Sequence, residues 1–386
     1  MKRVTIRVPA TTANLGPGFD AFGCALSLYT DVTFEEMDEG LEITGCPEEF
    51  AGPDNLAYVS YCATLATMSE ELRGVKIHIR ADIPVCRGLG SSAALLVAGA
   101  MGANVLRGNK LSTQGLLNIT NAMEGHPDNI APAFFGGLTA SMVDNGLPVT
   151  VNFPLHPDWE FLALVPDFDL PTTLAREVLP NQYSRADAVY NIAHGAMVLK
   201  ALELGDEKLL RNAMQDKIHQ PYRKALVKDY EKIESLIRTT GAAFCLSGAG
   251  PTLLCITRNP GLEEKLAGKI HDITEANWEM IPLHVEFEGA RVLSAESKSD
   301  PPVLKAGLHK TVSASKTIFL SNTAQKSYGR RRPCHSFFSC LGLKIFAFEV
   351  LRSFSAFAKN SHAEILCVFH GDILRLKGKR LGGKTE

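Results

Sequence analysis

The 386-residue sequence lacks the features that mark several classes of protein. No apolar run approaches the roughly 20 residues that a membrane-spanning helix needs, so we expect no membrane span. The N-terminal segment has no apolar stretch of about 7–15 residues of the kind found in signal peptides. The nine cysteines include no C-x-x-C pair, which argues against a disulfide framework and against a structural zinc site. We therefore expect a cytoplasmic protein with reduced thiols.

The chain also has little net charge, −2, but its charges are unevenly distributed. Residues 1–300 contain 25 lysines and arginines against 38 aspartates and glutamates, whereas residues 301–386 contain 15 against 4. This asymmetry predicts a boundary near residue 300, followed by a basic, irregular tail over residues 298–386. The acidic composition of residues 1–297 argues against nucleic-acid binding by that part.

Hydrophobic periodicity predicts a mixture of helices and strands before that boundary. Strands are predicted at the N-terminus and at 29–34, 41–44, 75–80, 149–153, 160–165 and 283–288, with a strand, turn and strand over 241–256. Helices are predicted at 55–68, 92–106, 111–124, 186–204, 207–215, 224–239 and 262–277. The order lacks the regular βαβ period of a Rossmann sheet, which favours an α+β fold. A break near Pro154–Pro157 suggests two domains, residues 1–155 and 156–297.

The most informative segment is a glycine turn between a predicted strand and a predicted helix, Pro84-Val85-Cys86-Arg87-Gly88-Leu89-Gly90-Ser91-Ser92-Ala93-Ala94. Its glycines allow backbone N–H groups to converge on an anion. The helix that begins near Ser91 adds unpaired amides and its positive dipole end, so a phosphate is the expected ligand. The segment matches neither the P-loop nor the dinucleotide fingerprint. Taken alone, it is interpreted equally well as a tight turn.

Two further segments indicate a functional site only when they are considered together with the first. Ser247-Gly248-Ala249-Gly250-Pro251-Thr252 lies between two apolar strands and by itself is best interpreted as a β-turn. Glu124-Gly125-His126-Pro127-Asp128-Asn129 gathers two acids, an imidazole and an amide, which indicates a site. A capped helix end followed by a turn explains the same residues.

Together these segments resemble the GHMP small-molecule kinases. With Pro9-Ala10-Thr11-Thr12-Ala13-Asn14-Leu15-Gly16-Pro17-Gly18-Phe19-Asp20 they occur in the order and spacing of that superfamily. The homoserine kinases are the most similar members, through this opening, residues 126–137 and Thr173-Leu174-Ala175-Arg176-Glu177-Val178-Leu179-Pro180. The resemblance covers about residues 3–292. It implies an N-terminal domain like domain 2 of ribosomal protein S5, a ferredoxin-like C-terminal domain, and an active site between them.

The resemblance implies transfer of the γ-phosphoryl group of ATP to the side-chain hydroxyl of L-homoserine, in threonine biosynthesis. It assigns ATP binding to the glycine turn: Pro84, Val85, Cys86, Arg87, Gly88, Leu89, Gly90, Ser91, Ser92, Ala93 and Ala94. It assigns Mg²⁺ to Ser92 and Glu124, a hydroxyl and a carboxylate that leave room for water and phosphate oxygens. Because the family varies in spacing before His126, an exposed helix-terminal acid remains the alternative for Glu124.

Recognition of the acceptor can be reasoned partly from its chemistry. A zwitterion's carboxylate calls for a guanidinium, since a bidentate arginine pair gives strength and direction. Arg176 and Arg223 match the family's carboxylate-binding arginines, and the resemblance implies that Asp20 faces the ammonium group. It further implies that Asn14 and Asn129 orient the hydroxyl and that Thr172 assists near the phosphate. Without the resemblance, a surface arginine, a turn-capping aspartate and turn-forming asparagines would explain these residues.

A general base is the least defined role. Asp128 lies in the right segment and is a candidate to accept the hydroxyl proton. In enzymes that resemble this one, no obvious base is required, and the phosphate itself can take the proton. The resemblance also implies a homodimer. Another GHMP kinase acting on a different small alcohol, and a non-catalytic GHMP-fold sensor, remain alternatives.

The tail matches nothing in the family. A basic amphipathic segment with Lys344, Arg352 and Lys359 on one helical face would suit a membrane surface or an acidic partner. An arginine-containing arm for nucleic acid is a second interpretation. We favour a third, an extension without selected function such as read-through or a shifted reading frame, because its periodicity is weak.

Overall fold

The computed structural model describes residues 3–296 together with the backbone of residues 365–369 and 372–376. Contacts divide the chain into residues 1–298 and 299–386, close to the predicted charge boundary. In the second unit, β12 (Ile365–Phe369) and β13 (Asp372–Leu376) form an antiparallel hairpin. The proposed amphipathic helix around Arg352 lies outside the described residues.

The first unit contains eleven strands within residues 3–296. They are β1 (Arg3–Ala13), β2 (Phe22–Met37), β3 (Leu41–Thr44), β4 (Gly74–Ala81), β5 (Leu138–Asp144), β6 (Leu147–Phe153), β7 (Glu160–Pro166), β8 (Ala243–Leu246), β9 (Leu253–Thr257), β10 (Trp278–Leu283) and β11 (Arg291–Glu296).

The helices of this unit connect the strands. They are α1 (Leu56–Thr67), α2 (Ser91–Leu106), α3 (Thr113–Glu124), α4 (Pro127–Phe135), α5 (Thr172–Glu177), α6 (Arg185–Leu204), α7 (Glu207–Ala213), α8 (Gln220–Arg223), α9 (Tyr230–Arg238), α10 (Leu262–Leu266) and α11 (Lys269–Ile273), with 3₁₀ turns at Glu48–Phe50 and Lys224–Leu226. Among the described residues, none of the helices combines the length and the apolar character that a membrane crossing requires.

The larger sheet is built around the long strand β2. Its strands run in the order β11-β1-β2-β4-β3, and β5 and β6 extend from the beginning of β2. All pairs are antiparallel except β3 with β4. Helix α2 packs directly on this sheet because its face consists of small residues such as Ala93, Ala94 and Ala98, all fully buried.

The smaller sheet has the order β10-β7-β9-β8, entirely antiparallel. Strand β7 is buried on both faces. Phe161, Ala163 and Val165 join the core shared with the larger sheet, whereas Leu162 and Leu164 pack into a second core with α9. The alternation follows the two-residue period of a strand. The two sheets therefore share one continuous core, which fixes the position of the loops between them.

Most predicted elements are confirmed, but three predictions were wrong. The helix expected over 224–239 consists of a 3₁₀ turn at Lys224–Leu226 and of α9, which follows Asp229 with its φ of +61°. The helix expected over 262–277 consists of α10 and α11, separated by Gly268, whose φ of +79° interrupts the helix. The strand expected over 283–288 ends at Leu283. Its later residues instead bridge to neighbouring segments, as when the Glu286 amide donates to the Ala25 carbonyl. Strands β5 and β11 and helices α4, α5 and α8 were not predicted, and β10 begins at Trp278, before the predicted strand.

Candidate active site

A cleft of about 790 Å³ lies where loops from both sheets meet. Its walls come from segments far apart in the sequence: the turn after β1, the glycine turn before α2, the α3–α4 connection, the start of α5, and the loop between β8 and β9. A further wall, residues 45–56, was not assigned a role by sequence reasoning. The cleft brings together most of the residues that the sequence singled out.

The glycine turn leads directly into α2. Gly90 is the residue before the helix, with φ of +72°, and a Cβ at that position would lie 1.9 Å from the Thr11 hydroxyl. A Cβ on Gly88, with φ of +71°, would lie 2.4 Å from the Ser247 carbonyl oxygen. Only glycine fits these two positions without displacing the neighbouring backbone or side chain. The first turn of a 16-residue helix thus begins at the cleft wall, where its amides favour an anion.

The loop between β8 and β9 holds this glycine turn in place. The Ser247 hydroxyl donates to the Gly88 carbonyl at 2.6 Å, and the Thr252 hydroxyl donates to the carbonyl of Arg87. The side chain of Arg87 pairs with Asp169, and its Nε donates to the Pro166 carbonyl at 2.9 Å. The segment that alone suggested only a β-turn therefore supports the glycine turn from the second sheet.

Not every residue of the predicted ATP loop lines the cleft. Leu89, Ala93 and Ala94 are fully buried in the core. The remaining members line the cleft: Pro84, Val85, Cys86, Arg87, Gly88, Gly90, Ser91 and Ser92. The three buried residues therefore support the loop through packing.

The two predicted metal ligands are neighbours. The Ser92 hydroxyl donates to Glu124 Oε1 at 2.7 Å, although the residues lie 32 positions apart. Glu124 is the last residue of α3, and Gly125 ends the helix with φ of +91°. Burial raises the pKa of Glu124, and the charge of Asp128 adds to this effect against the opposing influence of His126. A hydroxyl and a carboxylate form an oxygen donor set of the kind that Mg²⁺ prefers.

A second group of potential ligands consists of Asp20, His126 and Asp128, whose ligand atoms lie within 4.8 Å of one another. Protein partners already occupy these residues. His126 Nδ1 donates to Asp128 Oδ1 at 2.5 Å. Burial lowers the pKa of His126, but the hydrogen bond and charge of Asp128 outweigh it and raise that pKa. With an imidazole and paired carboxylates, this group suits Mg²⁺ less well than Ser92 and Glu124.

Asp20 and Arg176 form a bidentate ion pair in the same cleft. Arg176 Nη2 donates to Asp20 Oδ1 at 2.8 Å, and Nη1 donates to Oδ2 at 3.1 Å. Burial alone would lower the pKa of Arg176, but Asp20 outweighs it and raises that pKa. The residues expected to bind the two charges of a zwitterion therefore neutralise each other in this structure. A zwitterionic ligand can exchange with this pair without a change in net charge.

Arg223 differs because no carboxylate accepts its hydrogen bonds within residues 3–296. It is 1% exposed and donates through Nε to the Ala175 carbonyl at 2.9 Å. Burial and the nearby charge of Arg176 lower its pKa to about 10. The charges of Asp20, Asp128 and Asp216 act in the opposite direction without a hydrogen bond to Arg223. A buried guanidinium that lines a cleft and has no hydrogen-bonded carboxylate is suited to bind an anionic group of a ligand.

The remaining predicted residues also reach the cleft. Asn14 Nδ2 donates to the Gly248 carbonyl at 2.7 Å, and its Oδ1 accepts from the Asp20 amide at 2.9 Å. Asn129 Oδ1 accepts from the Thr11 hydroxyl at 2.8 Å. Thr172, the first residue of α5, is exposed to the cleft. Asn14 thus has a clear structural role in shaping the loop that presents Asp20.

Comparison with known proteins identifies the family to which the chain belongs. The model for the GHMP kinases N terminal domain matches residues 55–137, and that for GHMP kinases C terminal matches residues 198–273. The homoserine kinase of Clostridium botulinum (strain Eklund 17B / Type B) is 39% identical over 300 residues, covering 76% of this chain and all of the relative. The chain belongs to the homoserine kinase family. The homoserine kinase of Trichodesmium erythraeum is 44% identical over 268 residues, covering 67% of this chain and 87% of the relative.

Solved structures agree with the homoserine kinase assignment. A putative homoserine kinase from Listeria monocytogenes has a TM-score of 0.62 at 32% identity, covering 76% of this chain and all of the other. The homoserine kinase from Cytophaga hutchinsonii has a TM-score of 0.69 at 27% identity, covering 75% and 97%. The expected two-domain GHMP kinase fold is therefore confirmed.

Sequence reasoning missed several residues of this homoserine kinase family site. His126 lay inside a quoted segment without receiving a role, and so did Phe19, which contacts both arginines. His219 was not singled out, although it stacks on Phe19 with 5.3 Å between ring centroids. A lone histidine in a polar connection before the four-residue helix α8 gives no local signal of such a contact.

Proposed function

We propose that this cleft transfers the γ-phosphoryl group of ATP to the side-chain hydroxyl of L-homoserine, forming O-phospho-L-homoserine for threonine biosynthesis. The observation that carries the proposal is the unpaired guanidinium of Arg223 beside the Asp20–Arg176 pair, in the same cleft as an anion-binding helix start. A phosphate donor and an amino-acid acceptor fit the two ends of one cavity.

The phosphate end acts through backbone groups. The amides at the beginning of α2 and of the glycine turn offer hydrogen bonds to the triphosphate, and the helix dipole adds to them. The adjacent wall supplies apolar contacts for a nucleobase from Pro47, Phe50, Ile79 and Ile83. Because the phosphoryl-transfer transition state is loose, positioning and charge stabilisation provide most of the catalysis.

Ser92 and Glu124 would hold Mg²⁺ between the triphosphate and the end of α3. The support is their 2.7 Å hydrogen bond, which already brings two oxygen donors together at the beginning of α2. When bound, the ion would neutralise developing charge on the phosphate oxygens. Glu124 must be ionised to bind it, so the raised pKa of this carboxyl weakens binding at acidic pH.

At the acceptor end, Arg176 and Arg223 would bind the carboxylate of homoserine while Asp20 binds its ammonium group. Asp128 and Asn129, in the first turn of α4, would lie near the hydroxyl, with Asp128 as the candidate base. The hydrogen bond from His126 holds the Asp128 carboxylate in one orientation. Asn14 and Thr172 complete the acceptor end.

The test is homoserine-dependent ADP release by the purified full-length chain with Mg²⁺, alongside mevalonate and shikimate as acceptors. Of the three acceptors, we expect only homoserine to be phosphorylated, and mass spectrometry identifies the product. Turnover with another alcohol would indicate a different GHMP kinase. ATP binding at equilibrium without phosphohomoserine formation would indicate a non-catalytic sensor.

We also propose the division of the kinase into residues 1–155 and 156–297, supported by the separate sheets that each part forms, with β11 returning to the larger one. The six cysteines within residues 3–296 are free thiols, which supports a cytoplasmic enzyme. The acidic composition of residues 1–297 remains our reason to expect no nucleic-acid partner.

A homodimer is the assembly that we propose. On α6, Val189, Ile192 and Met197 are 59%, 75% and 48% exposed, an apolar face that a second copy of the chain would cover. Sedimentation of the full-length chain should give a dimer, and Ile192→Lys should shift it to monomer. Substitution of Lys265 by Gln, at an exposed position of α10, is the control.

A further inference from the structure

Both arginines at the acceptor end of the cleft contact one aromatic ring, that of Phe19. Cζ of Arg223 lies 5.1 Å and Cζ of Arg176 lies 5.7 Å from its centroid. A guanidinium near an aromatic face is attracted by the quadrupole of the ring. The two guanidiniums repel each other, so a shared ring offsets part of that repulsion and fixes their separation.

The ring of Phe19 is itself held by His219. The two rings stack with 24° between their planes, and His219 is fully buried. His219 Nε2 lies 2.8 Å from the Gly16 carbonyl oxygen. Because a carbonyl only accepts, Nε2 must carry the proton of the neutral imidazole. Nδ1 faces the guanidinium of Arg223, which can only donate, so Nδ1 carries the lone pair of a neutral ring. Burial favours this form by lowering the pKa of His219, against the opposing charge of Asp216, whose Oδ2 lies 3.6 Å from Nε2.

That lone pair faces Arg223. Nδ1 of His219 lies 3.4 Å from Nη1 of Arg223, which donates to it, while Nε of Arg223 donates to the Ala175 carbonyl. No hydrogen bond joins Nη2 of Arg223 to another residue within 3–296. A carboxylate in place of His219 would orient the guanidinium but neutralise it. A neutral imidazole orients the guanidinium and leaves its full charge for a ligand.

We propose that Phe19 and His219 are positioning residues for the acceptor's carboxylate, which hold Arg176 and Arg223 side by side and aim the charged edge of Arg223 into the cleft. The proposal rests on the proposed function, because homoserine is the ligand whose carboxylate the two arginines would bind. It predicts an effect confined to the acceptor, since neither residue belongs to the phosphate end.

Phe19 is tested with a matched pair of variants in the full-length chain. Phe19→Leu keeps an apolar side chain but removes the ring, and we expect the KM for homoserine to rise about tenfold with the KM for ATP unchanged. Phe19→Tyr keeps the ring and should restore a KM for homoserine close to that of the wild type. If Phe19→Leu leaves that KM unchanged, or raises both KM values equally, the shared-ring role is wrong.

His219 is tested by two amide substitutions that each retain one of its contacts. Asn places an amide near the Nδ1 position and can still accept from Arg223, whereas Gln reaches the Nε2 position and can still donate to Gly16. Both variants lose the ring that stacks on Phe19, so both should raise the KM for homoserine. We expect a rise of about tenfold or more for His219→Gln and a several-fold smaller rise for His219→Asn, which keeps the contact with Arg223. The reverse order, or equal KM values in folded variants, would overturn the role of Nδ1. If both variants fail to fold, the Phe19 pair decides the proposal.

Different results would overturn the proposed function and the positioning role of Phe19 and His219. A folded wild-type chain that does not phosphorylate homoserine would overturn the proposed function and this proposal with it. A wild-type chain that is active on homoserine, combined with a Phe19→Leu variant of unchanged KM, would overturn the positioning role alone.

Discussion

Replacing Arg223 by methionine should stabilise the protein while it impairs binding of the acceptor. Arg223 is buried beside a second arginine, and none of its hydrogen-bond acceptors within residues 3–296 carries a negative charge. Such a charge destabilises the folded state unless an anion arrives. Methionine fills a similar volume without a charge and adapts to irregular surroundings.

The magnitude follows from the lowered pKa. Burial, with the charge of Arg176, lowers the pKa of Arg223 to about 10 from an ordinary value of 12.5. At about 1.4 kcal/mol per pH unit, this corresponds to roughly 3 kcal/mol of destabilisation. The penalty is fully present below pH 10 and fades as pH rises toward 12.5. The variant also loses three hydrogen bonds, to the Ala175 carbonyl at 2.9 Å and, more weakly, to His219 Nδ1 and the Gly248 carbonyl at 3.4 Å. Together these offset about 2–3 kcal/mol, so we expect a net stabilisation of up to about 1 kcal/mol.

Chemical denaturation at pH 7.5 without ligands measures the free energy of unfolding, and steady-state kinetics measures the acceptor's KM. A charged hydrogen bond typically contributes about 1.5–3 kcal/mol, so we expect the KM for homoserine to rise about 10–100-fold. Arg176→Met is the control, because it leaves Asp20 without its partner and should raise KM without stabilising the fold. Our reasoning about Arg223 fails if its methionine variant is less stable than the wild type, or binds homoserine equally well.

Four further predictions concern the rest of the chain. If Asp128 is the general base, Asp128→Asn should lower kcat by about 10²–10⁴ in steady-state assays, and a loss under about tenfold would contradict that role. Gly90→Ala, whose Cβ would lie 1.9 Å from the Thr11 hydroxyl, should lower Tm and raise the KM for ATP; an unchanged Tm would show that the loop can relax. Glu124→Gln should raise the half-saturating Mg²⁺ concentration at least about tenfold, and an unchanged Mg²⁺ titration would exclude it as a ligand. Deletion of residues 298–386 should leave activity and solubility intact or improved, whereas a chain ending at Gly289 also loses β11 and should fold poorly. If the chain of residues 1–297 folds but is inactive, the tail is needed for activity.

The elements that could be predicted from the sequence are those with a strong local pattern. Alternation identified β4, and the run of small residues identified α2 as a buried helix. The start of α4 at Pro127 is signalled by proline at the first helical position, but the preceding acid and imidazole favoured a turn. Strand β11 is mostly exposed and forms because its partner β1 offers an open edge, a tertiary reason that no local pattern contains.

The features of the candidate site likewise divide into local ones, which the sequence predicts, and tertiary contacts, which it does not. The proposed phosphate-binding role of the glycine turn follows from glycine spacing and the adjoining helix, which are local features. The stacking of Phe19 between arginines from α5 and α8 and the ring of His219 depends on how the second sheet docks on the first. The resemblance to a family identified both arginines, but it could not show that one is paired and the other is not.

The charges that line the cleft explain why local groups must bind the nucleotide. Six carboxylates and three guanidiniums line it: Asp20, Glu49, Asp54, Asp82, Glu124 and Asp128, with Arg87, Arg176 and Arg223. Arg87 is paired with Asp169, and the other two arginines lie at the acceptor end. Side chains therefore give the triphosphate an unfavourable field, in keeping with the acidic composition of residues 1–300. The groups left to offset it are the backbone amides of the glycine turn and the divalent cation that we propose at Ser92 and Glu124. It follows that the chain should bind ATP far more weakly without Mg²⁺ than with it. Glu124→Gln should reduce this difference, because it removes a ligand for Mg²⁺, which weakens ATP binding with the ion, and removes a negative charge, which strengthens ATP binding without it.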